Sequence, residues 1–209
     1  MRQFLSPHNK YRLVTGLIAL LLISVYSGNS FAHSEVGVVG GLVSGLLHPI
    51  FGFDHLLAMV AVGLWGAQLG KPAIYLLPIT FPVIMAVGGL LGVAGMPLPF
   101  IEVGIALSAL ALGAMIAANL RPAIWIAAIV VGFFGIFHGH AHGVEMPDAA
   151  NPLAYGIGFV ISTGMLHLAG ILLGLLIQWP VGAMFIRGCG AVIGCFGAFF
   201  MASSIGLTG

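Results

Sequence analysis

Charge is what this sequence has least of. Of 209 residues, six are Lys or Arg and five are Asp or Glu, 5% in all. A soluble domain carries roughly a quarter charged residues, and eleven charges cannot cover a globule of this size. The composition therefore argues against a soluble enzyme, a nucleic-acid binder and a disordered chain. Cysteine is equally scarce. Cys189 and Cys195 lie six apart in one apolar run, with no C-x-x-C; on a helix their side chains point apart, so no disulfide between them is expected. There is no G-x-x-x-x-G-K-[ST] phosphate loop and no H-E-x-x-H, so neither ATP hydrolysis nor zincin chemistry is indicated. What is abundant is apolar surface, at 60% of residues, and glycine, at 32. That combination describes an all-α polytopic membrane protein, with lipid as outer solvent and small residues at close helix contacts.

The start reads as a secretory signal. Arg2, Lys10 and Arg12 precede the short apolar run Leu13–Tyr26, followed by Ser27-Gly28-Asn29-Ser30-Phe31-Ala32. A basic start, an apolar core too short to span comfortably and small residues before a cleavage point form that pattern. Residues 1–32 are expected to leave as a signal peptide; an uncleaved first helix is the alternative. Residues 33–209 then form a single permease-sized domain, with His33 as its N-terminus. A free amine beside an imidazole chelates divalent metals, which places His33 among the candidates.

Breakers divide the rest into six apolar segments, at 36–69, 73–93, 99–119, 122–140, 151–177 and 181–207. Each is far longer than the roughly ten-residue alternating strands of an outer-membrane barrel. Lys71 and Arg121 fall in turns on one side, with Arg187 just past a third, whereas the loop holding Glu145 and Asp148 has no basic residue. By the positive-inside rule, both mature ends lie outside. The first segment is too long for the roughly 20 residues that span a bilayer. In its middle stands His48-Pro49-Ile50-Phe51-Gly52-Phe53-Asp54-His55. The expectation is a first span broken at the intramembrane His48-Pro49; a plain proline kink in one tilted helix is the alternative.

Seven histidines follow residue 32. His48, Asp54 and His55 form one group, His138, His140, His142 and Glu145 a second, and His167 stands alone. Ionisable groups inside a span are functional candidates by default. Imidazoles with a few carboxylates suit borderline divalent metals. At 100° per residue, His138 and His142 lie about 40° apart on one face, with Glu145 about 20° from His138. His140 points the other way. Depth along the helices, about 18 Å for His48 and about 24 Å for His167, lets those two meet near the middle of the bilayer. Bland readings stand beside these: Asp54 as cap of the helix beginning at His55, His167 as an interhelical hydrogen bond, Met59 as packing.

Two stretches carry a family resemblance: His48-Pro49-Ile50-Phe51-Gly52-Phe53-Asp54-His55-Leu56-Leu57-Ala58-Met59, and Phe137-His138-Gly139-His140-Ala141-His142-Gly143-Val144-Glu145. Together they resemble the HupE/UreJ family of nickel/cobalt permeases, and the signal-like start, six later segments and His167 match that layout. The resemblance implies uptake of Ni²⁺ or Co²⁺ across the bacterial cytoplasmic (inner) membrane, with no prosthetic group and with the bilayer and the metal ion as partners. A metallochaperone or a second copy of the chain is a further partner that the sequence does not specify. The competing readings are an intramembrane His-ligated metalloenzyme, for which a base or nucleophile beside the metal is wanting, and a structural or sensor protein with a buried His network.

Overall fold

The computed structural model describes residues 37–147 and 151–207, and no strand occurs among them. The expected signal peptide and His33 lie outside the described residues. The helices are α1 (Gly37–Phe51), α2 (Phe53–Leu69), α3 (Ala73–Val93), α4 (Ile101–Ala117), α5 (Ile124–Val144), α6 (Pro152–Gly174) and α7 (Pro180–Ser204), and a 3₁₀ turn, Leu175–Gln178, joins the last two. Their limits follow the breakers. α2 stops at Gly70, whose N–H returns to the Gly66 carbonyl, and Pro72 follows. α6 opens on Asn151, whose side chain accepts the Ala154 N–H at 3.0 Å, with Pro152 at the first helical position; both are favoured helix starts.

Among the described residues, α3, α5, α6 with its 3₁₀ turn, and α7 are long and apolar enough to cross a membrane. α1 and α2 make a fifth such segment if the bent pair counts as one span, and α4 is a shorter apolar helix of 17 residues. α5 runs on to Val144, past the expected end at 140, and so keeps His142 on the helix.

The first segment breaks three residues beyond Pro49. Pro49 lies inside α1, the chain turns extended at Gly52, and α1 and α2 meet at 80°. A proline withholds only its own N–H from the helix. The next turn still closes, because the Gly52 N–H donates to the His48 carbonyl at 3.2 Å. At Gly52, a Cβ would come within 2.8 Å of the His55 ring, so glycine there leaves room for that imidazole. α3 contains Pro78 and Pro82, which deprive the Ile74 and Pro78 carbonyls of their usual helical donors.

Packing assembles the helices in register. Gly41 and Gly45 of α1 meet the backbone of Asn151 and Tyr155 in α6, and Gly63 of α2 meets the His167 carbonyl. α1 and then α2 thus advance along α6 in the same N-to-C sense, each inclined to it. α3 and α5 are parallel as well, with Gly135, Gly139 and Gly143 against the carbonyls of Phe81, Met85 and Gly89. α4 and α7 are antiparallel, with Leu110 opposite Gly197 and Ala117 opposite Gly190. α2 lies at the centre, where every residue from Ala61 to Gln68 is buried. A helix that is enclosed on all sides needs no polar face. The outer faces of the bundle present Leu90, Leu153, Leu172 and Val181 instead of charges, as lipid-facing surface does.

The C-terminal end of α4 is held by side chains from two neighbours. Gln68 Nε2 donates to the Ile116 carbonyl at 3.1 Å, Arg187 Nε to Ala117 at 2.8 Å, and Trp65 Nε1 to Leu120 at 3.2 Å. Carbonyls that the helix leaves open are thereby satisfied. Arg121 and Arg187 sit at this end with the α2–α3 turn that carries Lys71, and Glu145 sits at the other.

Contact between α4 and α7 depends on Gly113, where a Cβ would run into the Gly194 backbone, whereas a Cβ on Gly188 of α7 meets nothing within 4 Å. Backbone cannot swing aside as a side chain can. Gly113→Ala should destabilise the protein by about 1–3 kcal/mol, the usual scale of overpacking. Gly188→Ala should leave stability unchanged within about 0.5 kcal/mol. Thermal unfolding in detergent and membrane abundance check both; equal behaviour of the two variants would contradict the packing.

Candidate metal centre

The last turn of α1 carries His48, the first turn of α2 carries His55, and the last two turns of α5 carry His138 and His142. Glu145 follows as the residue that ends α5, its N–H donating to the Ala141 carbonyl at 2.8 Å. The turn at Gly52 brings the two ends together. His48 Nε2 lies 3.0 Å from Glu145 Oε2, and His142 Nδ1 lies 3.7 Å from the same oxygen. His48, His142 and Glu145 each offer one ligand atom, and these three atoms lie within 4.8 Å of one another. Exposure falls along the group, from 42% for the Glu145 side chain through 30% for His48 to 4% for His142.

Behind this trio the imidazoles continue inward as a file. Ring centroids are 4.9 Å apart for His48 and His142, 4.2 Å for His142 and His55, and 5.1 Å for His55 and His138. His55, His138 and His142 are buried. His138 Nδ1 donates to the Phe134 carbonyl at 2.9 Å, which leaves the lone pair on Nε2. His138 Nε2, His55 Nδ1 and both ring nitrogens of His142 have no hydrogen-bond partner among the described residues. A buried polar atom without a partner costs about 1–3 kcal/mol, and a nitrogen lone pair in that position is what a borderline divalent cation seeks.

The remaining candidates stand apart from the trio. Asp54 Oδ1 accepts the His55 N–H at 2.9 Å; the carboxylate sits in the first turn of α2, where negative charge favours the helix. His140 points away, as its helical angle demands, and its Nε2 donates to the Met96 carbonyl at 2.7 Å. His167 does not meet His48. Phe81 stands between the file and His167, its ring centroid 5.3 Å from His138 and 5.5 Å from His167. Depth arithmetic gives a level along the membrane but not a bearing around the bundle, and His48 turns toward Glu145.

Three aromatic residues complete the walls without having announced themselves in the sequence. Tyr155 lies 6.1 Å from His48, Phe159 lies 4.1 Å from His142, and Phe81 closes the inner end. Of these only Tyr155 had a readable signal, as a hydroxyl one turn past the Asn151-Pro152 helix start, level with Glu145. A lateral groove of about 670 Å³ between α3 and α6 also reaches His142 and Tyr155, but its walls are Met85, Leu90, Val93, Leu153, Ile157 and Val160. A hydrated cation gains nothing on such walls, and the polar route runs past Glu145.

The comparisons with known proteins bear on the family of the chain. The model of the family described as HupE / UreJ protein matches residues 20–200, a stretch that contains both His-rich segments and His167. The chain is 40% identical over 190 residues to Protein HupE of Rhizobium leguminosarum bv. viciae, covering 90% of this chain and 97% of the relative. No solved structure matches. With one family model spanning nearly all of the bundle and a curated relative aligned end to end, the chain belongs to the HupE/UreJ family.

Proposed function

We propose that this protein is a permease that passes a divalent transition-metal ion, Ni²⁺ or Co²⁺, across the bacterial cytoplasmic membrane. The observation that carries the reading is the file of four imidazoles leading inward from an exposed carboxylate, with nitrogens that nothing else among the described residues engages. Glu145 supplies charge at the mouth, where the ion still holds most of its water. His48 and His142 replace that water, and His55 and His138 take the ion onward. The Asp54 carboxylate, at the start of α2, offsets part of the ion's charge as it passes His55.

No phosphate loop occurs in the sequence, and the membrane potential is drive enough. A dication moving inward gains about 4.6 kcal/mol per 100 mV, at 2.3 per elementary charge. The metalloenzyme alternative draws no support from the family. Six crossings with both mature ends outside, after removal of residues 1–32, fit the parallel packing of α3 with α5. To run parallel, the chain must return across the same height between them, and α4 is the helix available to do so. The basic residues at the opposite end from Glu145 agree with the positive-inside rule.

Uptake of radioactive Ni²⁺ or Co²⁺ by intact cells tests the reading. At matched membrane abundance, His142→Ala should reduce uptake to background, because the trio loses its buried member. His140→Ala should retain uptake at saturating metal, since its ring serves the Met96 carbonyl. Uptake by His142→Ala equal to wild type would sink the assignment.

The helix starts at Phe53 with Gly52 at its cap position, so Asp54 does not cap it as the sequence suggested, and Asp54→Asn separates its local hydrogen bond from its charge. It keeps an oxygen for the His55 N–H, so abundance should be normal, yet uptake should be lost. Normal uptake would restrict Asp54 to its bond with the His55 N–H.

A phosphatase fused to the C-terminus should be active. A bright cytoplasm-only reporter at that position would reverse the orientation.

A further inference from the structure

Beyond Phe81 lies a polar pair that the outer file does not include. His167 is 1% exposed, and neither of its ring nitrogens makes a hydrogen bond among the described residues. Its ring lies against the Pro78 carbonyl of α3, without reaching hydrogen-bond geometry. That oxygen has no α-helical donor, because the residue four positions on is Pro82 and has no N–H. Backbone left open in this way is tolerated at membrane depth only where something inside the protein answers it. Thr163, one turn before His167 on α6, is fully buried and gives its hydroxyl to Met59 Sδ at 3.5 Å, so it is occupied and answers neither group. His167 lies roughly 18 Å further along α6 than Tyr155, at 1.5 Å per residue, well inside the trio.

We infer that the His167 imidazole and the Pro78 carbonyl form a second, inner station for a divalent transition-metal ion, separated from the outer file by the Phe81 ring. Imidazole nitrogen with a carbonyl oxygen is a donor set for borderline cations. Both ligands are neutral, whereas the outer trio includes the Glu145 carboxylate, so the inner station holds the ion more weakly. An ion that has passed Phe81 therefore meets a site from which it leaves easily. The inference rests on the permease reading and adds a site to it.

The test uses the full chain in lipid nanodiscs titrated with Co²⁺, with bound metal measured by equilibrium dialysis and ligand-field absorption. Wild type should take up one tight equivalent and a second, weaker one. His167→Leu, close in size and without a donor atom, should lose the second and keep the first. Pro82→Ala returns an N–H to the Pro78 carbonyl and leaves every side chain of the site in place. It should weaken the second equivalent by at least about tenfold, the scale of losing a group that supports a bound metal, with the first unchanged. His142→Ala should do the reverse. A single equivalent in wild type, or a second equivalent indifferent to both His167→Leu and Pro82→Ala, overturns the inner station and leaves the permease reading standing. Absence of any bound Co²⁺ in wild type would strike the permease reading itself.

Discussion

Inside a bilayer every polar group must find its partner within the protein, and the rest of this structure is arranged around that requirement. The buried imidazoles of His55, His138, His142 and His167 sit among helices whose outer faces are leucine, valine and phenylalanine. The first three are tolerable because they are neighbours, and His167 packs against Phe81. Each ring packs edge-on or tilted against another aromatic ring, and the least buried of the file, His48, shares the Glu145 carboxylate. The fold supplies this neighbourhood with close backbone contact. Glycines let α1 and α2 lie against α6, and α3 against α5, so that four helices deliver side chains into one narrow space. Within that density the imidazoles of His48, His142, His55 and His138 touch in sequence as far as Phe81.

The opposite end of the bundle is built on a different principle. There the side-chain donors are paired: the N–H groups of Gln68, Trp65 and Arg187 answer carbonyls at and just beyond the end of α4. One end of the protein is held by hydrogen bonds that are already made, and the other keeps nitrogens in reserve. This asymmetry is the structural basis for reading direction into the molecule.

Much of this was legible in the sequence, for identifiable reasons. Gly or Asn with Pro within three residues marks a helix limit, so the breaks near Gly70, Asn119 and Asn151 fall where composition placed them. The shared face of His138, His142 and Glu145 follows from helical period alone, and so does the outward turn of His140. Three features were hidden. Pro49 drew attention away from Gly52, where the turn occurs, because a proline disturbs only its own donor and the helix had one more turn to run. α5 continued to Val144, since glycine within apolar sequence does not by itself stop a membrane helix. Phe81 could not be found at all, for its role lies in the residues it separates, and nothing in its own neighbourhood on α3 marks it.

The partners of the first helices arrive late. Glu145 comes 97 residues after His48, and Thr163 comes 104 residues after Met59. A chain made from its N-terminus inserts α1 and α2 well before α6 exists, and domains generally form in that order. During synthesis, His48 and His55 must wait in the membrane beside helices that are not their final neighbours. The imidazole file closes only when α5, the fourth apolar segment, has entered, so the first four helices are made before His138, His142 and Glu145 exist to meet them. On the permease reading, a chain stalled short of α5 is a blank: it occupies the membrane with His48 and His55 but without the carboxylate and the two imidazoles they meet.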